Sequence, residues 1–188
     1  MTTRSVLWLI LALPGAAMLY RWSSAPSQYG YGHIIGDSGD WAAWLLMATL
    51  VVTPLRLLFG PRTWTRWLLR RRRDLGVASF AYAAAHTAIY LQRKGSLDFV
   101  LADLSTAYIA LGWLALALFA PLAATSNDAS MRFLKRSWKR LHRLVYPAAV
   151  LMFAHWVLSA FDPITAWLHI ATLAMIELLR MWLQRRRG

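Results

Sequence analysis

Five histidines are the residues of this 188-residue chain best suited to chemistry, because it contains no cysteine. Disulfides, cysteine-ligated zinc, iron–sulfur clusters and thiol catalysis are thereby excluded. Any metal must rest on His33, His86, His142, His155 and His169, on carboxylates or on methionine. Two of the five are spaced alike from a basic block: His86 follows Arg73 by 13 residues, and His155 follows Arg143 by 12. On helices leaving those blocks at 1.5 Å per residue, both imidazoles lie ~18–20 Å from the basic boundary. Two imidazoles at one level can clamp an iron from opposite faces, as a bis-histidine haem requires. Ala81, Ala83, Ala84 and Ala85 surround His86, and Ala148, Met152 and Ala154 lie near His155. Small residues leave room for a macrocycle, but they also permit close helix packing, and a membrane histidine is equally served by an interhelical hydrogen bond. The pattern alone leaves both uses open.

The other histidines fit less well. His142 precedes His155 by 13 residues, ~20 Å along a helix, which suits a second haem stacked toward the basic side. Thirteen steps of ~100° put the two imidazoles about 140° apart in azimuth on an ideal helix, and Pro147 lies between them. Arg140 and Arg143, with Arg72 and Arg73 on the facing helix entrance, are suited to haem propionates. No further histidine completes a pair at that level, so His142 reads as a sole protein ligand, a propionate contact or an interfacial residue. His33 reads as a loop residue and His169 as an interhelical contact.

The elements that position these residues are membrane helices. The chain is 59% apolar with eleven tryptophans, more than one aqueous core of this length can hide. Six stretches approach the ~20 apolar residues of a spanning helix: 6–22, 41–59, 75–91, 108–124, 144–161 and 164–183. The first follows Arg4 and lacks a convincing cleavage motif before Arg21, so it reads as a retained helix rather than a signal peptide. The segment 23–40, with Gly30, Gly32, Gly36, Gly39 and Pro26, reads as an external loop holding a short interfacial piece at 29–35.

The net charge of +13 is carried mainly by alternate loops. Arg62, Arg66 and Arg70 to Arg73 lie between stretches two and three. Arg132, Lys135, Arg136, Lys139, Arg140 and Arg143 lie between four and five, and Arg185, Arg186 and Arg187 end the chain. The other loops mix Arg21 with Asp37 and Asp40, mix Arg93 and Lys94 with Asp98 and Asp103, or carry Asp162 alone. The positive-inside rule puts the basic loops and both termini in the cytoplasm. The expectation is an all-α, six-span helix bundle of the bacterial inner membrane, one domain over 1–188, with lipid as its surroundings. Nucleic acid is not expected as a partner, since no aromatic and basic stripe lies on a soluble domain.

Several segments resemble the MsrQ family (also called YedZ), within the wider ferric-reductase-like transmembrane group. They are Thr53-Pro54-Leu55-Arg56, Arg72-Arg73-Asp74-Leu75-Gly76, Phe80-Ala81-Tyr82 with His86 and Tyr90, and Leu122-Ala123-Ala124-Thr125-Ser126. The run from Trp138 to Tyr146 through His142 and the pair His155-Trp156 complete the set. Order and spacing hold over 36–156. The resemblance implies haem b held by His86 and His155, with His142 also implicated. It implies electron flow from the quinone pool or a cytosolic flavin reductase to MsrP, a periplasmic molybdopterin-containing methionine sulfoxide reductase, and FMN is also associated with the family. Family members carry an Arg-Pro-Tyr-like segment before helix four, where this chain has Ser105-Thr106-Ala107-Tyr108.

A haem-bearing electron-transfer subunit is therefore the favoured reading. A ferric reductase or quinone oxidase core with another acceptor shares the haem. A haem-free transporter is the weakest reading, because Glu177 and Arg180, the main charges inside a span, stand near one end and pair at i, i+3 rather than lining mid-membrane. No Gly-x-Gly-x-x-Gly fingerprint is present, so use of a nicotinamide cofactor would be indirect.

Overall fold

The computed structural model describes residues 3–159 and 163–185. Asp162, Arg186, Arg187 and the last two residues of the stretch 144–161 lie outside them. The described residues form nine helices and no strand: α1 (Thr3–Ser24), α2 (Tyr31–Phe59), α3 (Thr63–Lys94), α4 (Leu97–Asp103), α5 (Ala107–Ala124), α6 (Asp128–Leu134), α7 (Arg136–His142), α8 (Val145–Ser159) and α9 (Pro163–Arg185). Thr3–Ser24, Tyr31–Phe59, Ala107–Ala124 and the α7–α8 run Arg136–Ser159 are long and apolar enough to cross a membrane. The expected third and sixth stretches fall within α3 and α9. These are 32 and 23 residues long, but α3 continues through the arginine block and α9 carries Glu177 and Arg180.

The bundle is built on two long pairings, α2 against α3 and α5 against α8, with α9 laid across α2 and α8. Leu46, Leu50, Ala115, Phe119, Leu122, Ala148, Ala149 and Phe153 form the core where the two pairs meet. Each buried leucine or phenylalanine side chain contributes ~1.5–3 kcal/mol in water; in lipid, dispersion and close packing must do more of the work. Small residues allow that approach: Ala42 and Ala78 are buried, and the Ser79 hydroxyl donates across the α2–α3 seam to the Ala42 carbonyl at 2.7 Å.

Helix α1 packs thinly, with Met18 its one buried side chain, and polar contacts hold it. The Tyr82 hydroxyl accepts from the Gly15 amide at 2.9 Å and donates to the Leu11 carbonyl at 2.8 Å. It thus stands between the two partners of an i to i−4 backbone bond, next to Pro14, whose missing amide already weakens that turn. At the far end Arg4 and Arg71 bracket the buried Asp74 carboxylate at 2.9 and 3.5 Å.

Two expectations are corrected. The segment 23–40 is not an external loop: α1 runs to Ser24 and α2 starts at Tyr31. Only 25–30 connects them, anchored by Tyr29, which is buried and donates to Asp37 at 2.6 Å. Burial and that carboxylate push the Tyr29 phenol up to about 12. His33 accordingly lies in the first turn of α2, with its ring 5.6 Å from that of Tyr29. Glycine in a sequence signals a turn, but here three glycines sit inside a helix, and one of them has a packing use described below. The second correction concerns the continuous helix counted from His142 to His155, not the fifth stretch, which α8 matches. The chain breaks at Arg143 and Leu144 between α7 and α8, and Pro147 is the third residue of α8. In a first turn its absent amide leaves no backbone bond unmade.

Candidate haem-binding site

His86 on α3 and His155 on α8 come together, with ring centres 6.2 Å apart and ring planes at 85°. Each ring is held from behind by a different helix. His86 Nδ1 donates to the Ile35 carbonyl of α2 at 2.9 Å, with the Ser38 hydroxyl oxygen 3.4 Å away. His155 Nδ1 donates to the Tyr108 carbonyl of α5 at 2.6 Å. A carbonyl oxygen can only accept, so both rings carry their proton on Nδ1. Each Nε2 is left with a lone pair, the form in which imidazole binds a metal.

A glycine makes each of these contacts sterically feasible. A Cβ on Gly39 would meet His86 Nδ1 at 3.2 Å, and one on Gly112 would meet His155 Nδ1 at 2.9 Å and Cε1 at 3.1 Å. Gly39 stands four residues after Ile35, and Gly112 four after Tyr108. The device is the same on both sides: a helix carbonyl at position i accepts from the imidazole, and a missing side chain at i+4 lets the ring lie against the backbone. Sequence reasoning missed both glycines. The signal for Gly112 was a lone glycine in an otherwise apolar helix, a pattern that points to close approach. The departure at Ser105-Thr106-Ala107-Tyr108 does not disturb this contact, because Tyr108 serves through its backbone.

The pair passes a simple fit test. With metal–imidazole bonds of ~2.0–2.1 Å and the ring centre about 1.1 Å beyond the nitrogen, two imidazoles on opposite sides of one ion have ring centres roughly 6.3 Å apart. Among the described residues no group of three or more His, Asp or Glu could hold a metal together. A porphyrin would supply the remaining ligands of an iron held by His86 and His155.

The structure keeps the other histidines apart from this pair. His142, at the end of α7, lies against the C-terminal end of α5, with its Nε2 3.1 Å from the Thr125 hydroxyl. That hydroxyl sits 2.6 Å from the Pro121 carbonyl, which takes its one proton, so His142 Nε2 donates and only Nδ1 keeps a lone pair. Its ring stacks on Trp138 at 3.9 Å, and the Trp138 indole donates to the Thr125 carbonyl at 2.9 Å. His169 is an interhelical contact, as expected. It accepts from the Trp44 indole at 3.1 Å and packs on Trp156 at 4.5 Å, so it bridges α9 to α2 and α8. Glu177 and Arg180 pair at 2.9 Å, as their i, i+3 spacing predicts, and Arg180 lies over the Tyr146 ring at 4.3 Å.

Paired imidazoles between helices of an apolar bundle define the class of protein, and the comparisons agree: residues 38–153 match the family described as ferric reductase like transmembrane component. With its four apolar helices, the chain is a multi-pass membrane protein. A protein-methionine-sulfoxide reductase heme-binding subunit MsrQ from Xanthomonas axonopodis pv. citri is 37% identical over 179 residues, spanning 92% of this chain and 80% of that relative. The MsrQ of Ralstonia nicotianae is 35% identical over 189 residues, spanning 95% and 84%. A third, from Xanthomonas campestris pv. campestris, is 39% identical over 149 residues, spanning 77% of this chain and 66% of the relative. This chain belongs to the MsrQ family.

Proposed function

We propose that the chain binds haem b between α3 and α8 through His86 and His155 and acts as the membrane electron-transfer subunit of a methionine sulfoxide reductase system. The observation that carries this reading is the adjacent imidazole pair, 6.2 Å between ring centres, with both Nδ1 protons committed to backbone carbonyls. When bound, the haem supplies a one-electron iron couple. The protein's part is to hold and tune it. His86 and His155 donate their Nε2 lone pairs. The Ile35 and Tyr108 carbonyls fix ring orientation and make each imidazole a stronger donor, and Gly39 and Gly112 keep the backbone close enough to do so. Electrons would come from the quinone pool or a cytosolic flavin reductase and leave to a periplasmic MsrP-like molybdopterin reductase. The names of the relatives support the haem and the sulfoxide reductase system; the particular donor and acceptor, and a role for FMN, follow from the family resemblance.

The same reading makes 1–188 one domain of six spans in the bacterial inner membrane, with both termini cytoplasmic. Its support is the alternation of basic and mixed segments between the apolar stretches. A reporter active only in the periplasm, fused after Arg66 or after Lys135, is expected to give no signal. Strong signal at both positions would reverse the orientation.

The decisive measurement is the absorption spectrum of detergent-purified protein before and after dithionite, with pyridine haemochrome for stoichiometry. A b-type spectrum with at least one haem per chain is expected; a haem-free protein that is otherwise folded overturns the proposal. A second haem at His142, with Arg140 and Arg143 on its propionates, predicts more than one haem per chain and a loss in His142→Ala. A ratio of one, unchanged in that variant, leaves His142 as the α5–α7 tether seen here. The ferric-reductase family match also favours a second reading, a cytochrome core with another acceptor. Failure of the reduced protein to reduce a purified MsrP-like partner would select it.

A further inference from the structure

Helices α6 and α7 meet at Lys135, whose φ of 47° makes it the one non-glycine residue at positive φ among those described. Such backbone strain persists only where the surroundings fix it. The sharp turn folds the two short helices against each other and gathers Lys135, Arg136, Lys139, Arg140 and Arg143 around one groove of about 580 Å³. All five are exposed, and no carboxylate among the described residues pairs with any of them. The nearest acid in sequence, Asp128, is taken by Arg73 at 2.6 Å. On α6, just before Lys135 in the chain, Phe133 is 86% exposed and Met131 42%. A phenylalanine so exposed is costly in water and natural at the boundary of a bilayer.

Cations around a groove, with an exposed aromatic side chain on the adjoining α6 and the apolar α8 following in the chain, match the two halves of a lipid: a phosphate headgroup and the start of its acyl chains. We propose that the α6–α7 elbow is a docking site for an anionic phospholipid, whose phosphate is held by Lys135, Arg136 and Lys139 while Phe133 enters the acyl boundary. The site is separate from His86 and His155 and does not require haem. A lipid held there would fix the elbow against the bilayer, and with it the α7 residue His142 and its Thr125 contact.

The test is native mass spectrometry of the full chain in detergent, titrated with phosphatidylglycerol or with phosphatidylcholine of the same acyl chains. Phosphatidylglycerol is expected to remain bound and phosphatidylcholine to be lost. Each basic residue at a membrane surface is worth roughly fivefold in binding, so the Lys135→Gln, Arg136→Gln, Lys139→Gln triple variant should bind about 100-fold more weakly. Phe133→Ser should weaken binding while leaving the preference for phosphatidylglycerol. A triple variant at the start of α3, Arg62→Gln, Arg66→Gln and Arg70→Gln, removes the same charge and should bind as the wild type does. Equal retention of both lipids by the wild-type protein would overturn the proposal, and so would an equal loss in the two triple variants. Displacement of the lipid by millimolar inorganic phosphate would show a soluble phosphate site instead, and would overturn it too. His86→Ala should leave lipid binding unchanged, so this result and the haem assignment stand or fall separately.

Discussion

Replacing either His86 or His155 by alanine is expected to abolish the low-spin haem signal, leaving a five-coordinate or empty site. The two side chains come from helices α3 and α8, and their ring centres are 6.2 Å apart, so one lost imidazole cannot be replaced by the other. Within 188 residues only three more histidines exist. His169 is engaged by Trp44 and Trp156, and His142 by Thr125 and Trp138. Loss should be strongly non-additive: the double variant should look no worse than the worse single one, because the residues act as one unit. Optical and EPR spectra of His86→Ala, His155→Ala and the double variant make the comparison, with His169→Ala as the control. His169→Ala should disturb packing between α9 and its neighbours and leave the low-spin signal in place. A full wild-type signal in both single ligand variants, with loss in His169→Ala, would disprove the ligand assignment.

A single methyl group at position 112 is expected to do nearly as much damage. In Gly112→Ala the new Cβ would lie 2.9 Å from His155 Nδ1 and 3.1 Å from Cε1, closer than carbon and an imidazole ring tolerate. Either the ring moves, giving up its 2.6 Å bond to the Tyr108 carbonyl, or α5 moves away from α8. Loss of the partner that orients a metal-bound histidine typically costs ~10–100-fold in metal affinity, and haem retention through purification should fall on that scale. Gly39→Ala, with its contact at 3.2 Å, should have the same effect in weaker form. Gly36→Ala meets nothing within 4 Å and should keep the wild-type spectrum. The ordering Gly112, Gly39, Gly36 is the result to look for. Equal haem retention in Gly112→Ala and Gly36→Ala would mean that the glycine does not seat the ring.

The sequence alone determined those properties that depend on sums along the chain. Apolar runs, tryptophans and the distribution of arginine report on transfer between water and lipid, which acts residue by residue, so the membrane class was legible without any contact. Helical rise is equally local, and counting from Arg73 and Arg143 gives His86 and His155 similar distances from a basic block. It could not say whether the two rings come together. That depends on helix azimuth and on which helices are neighbours, and His86 and His155 are 69 residues apart. Nor could it give the tautomer, because the acceptors are backbone carbonyls of Ile35 and Tyr108, which have no residue-type signature. Gly39 was misread for a related reason: glycine in sequence signals freedom of φ, whereas here its use is the absence of a side chain facing another helix. The break before Val145 was equally hidden, since Pro147 marks a helix interior or a helix start depending on where the chain turns. Tertiary structure decided the first three by bringing the carbonyl and the missing Cβ of one helix to the imidazole of another, and the fourth by where the chain turns between α7 and α8.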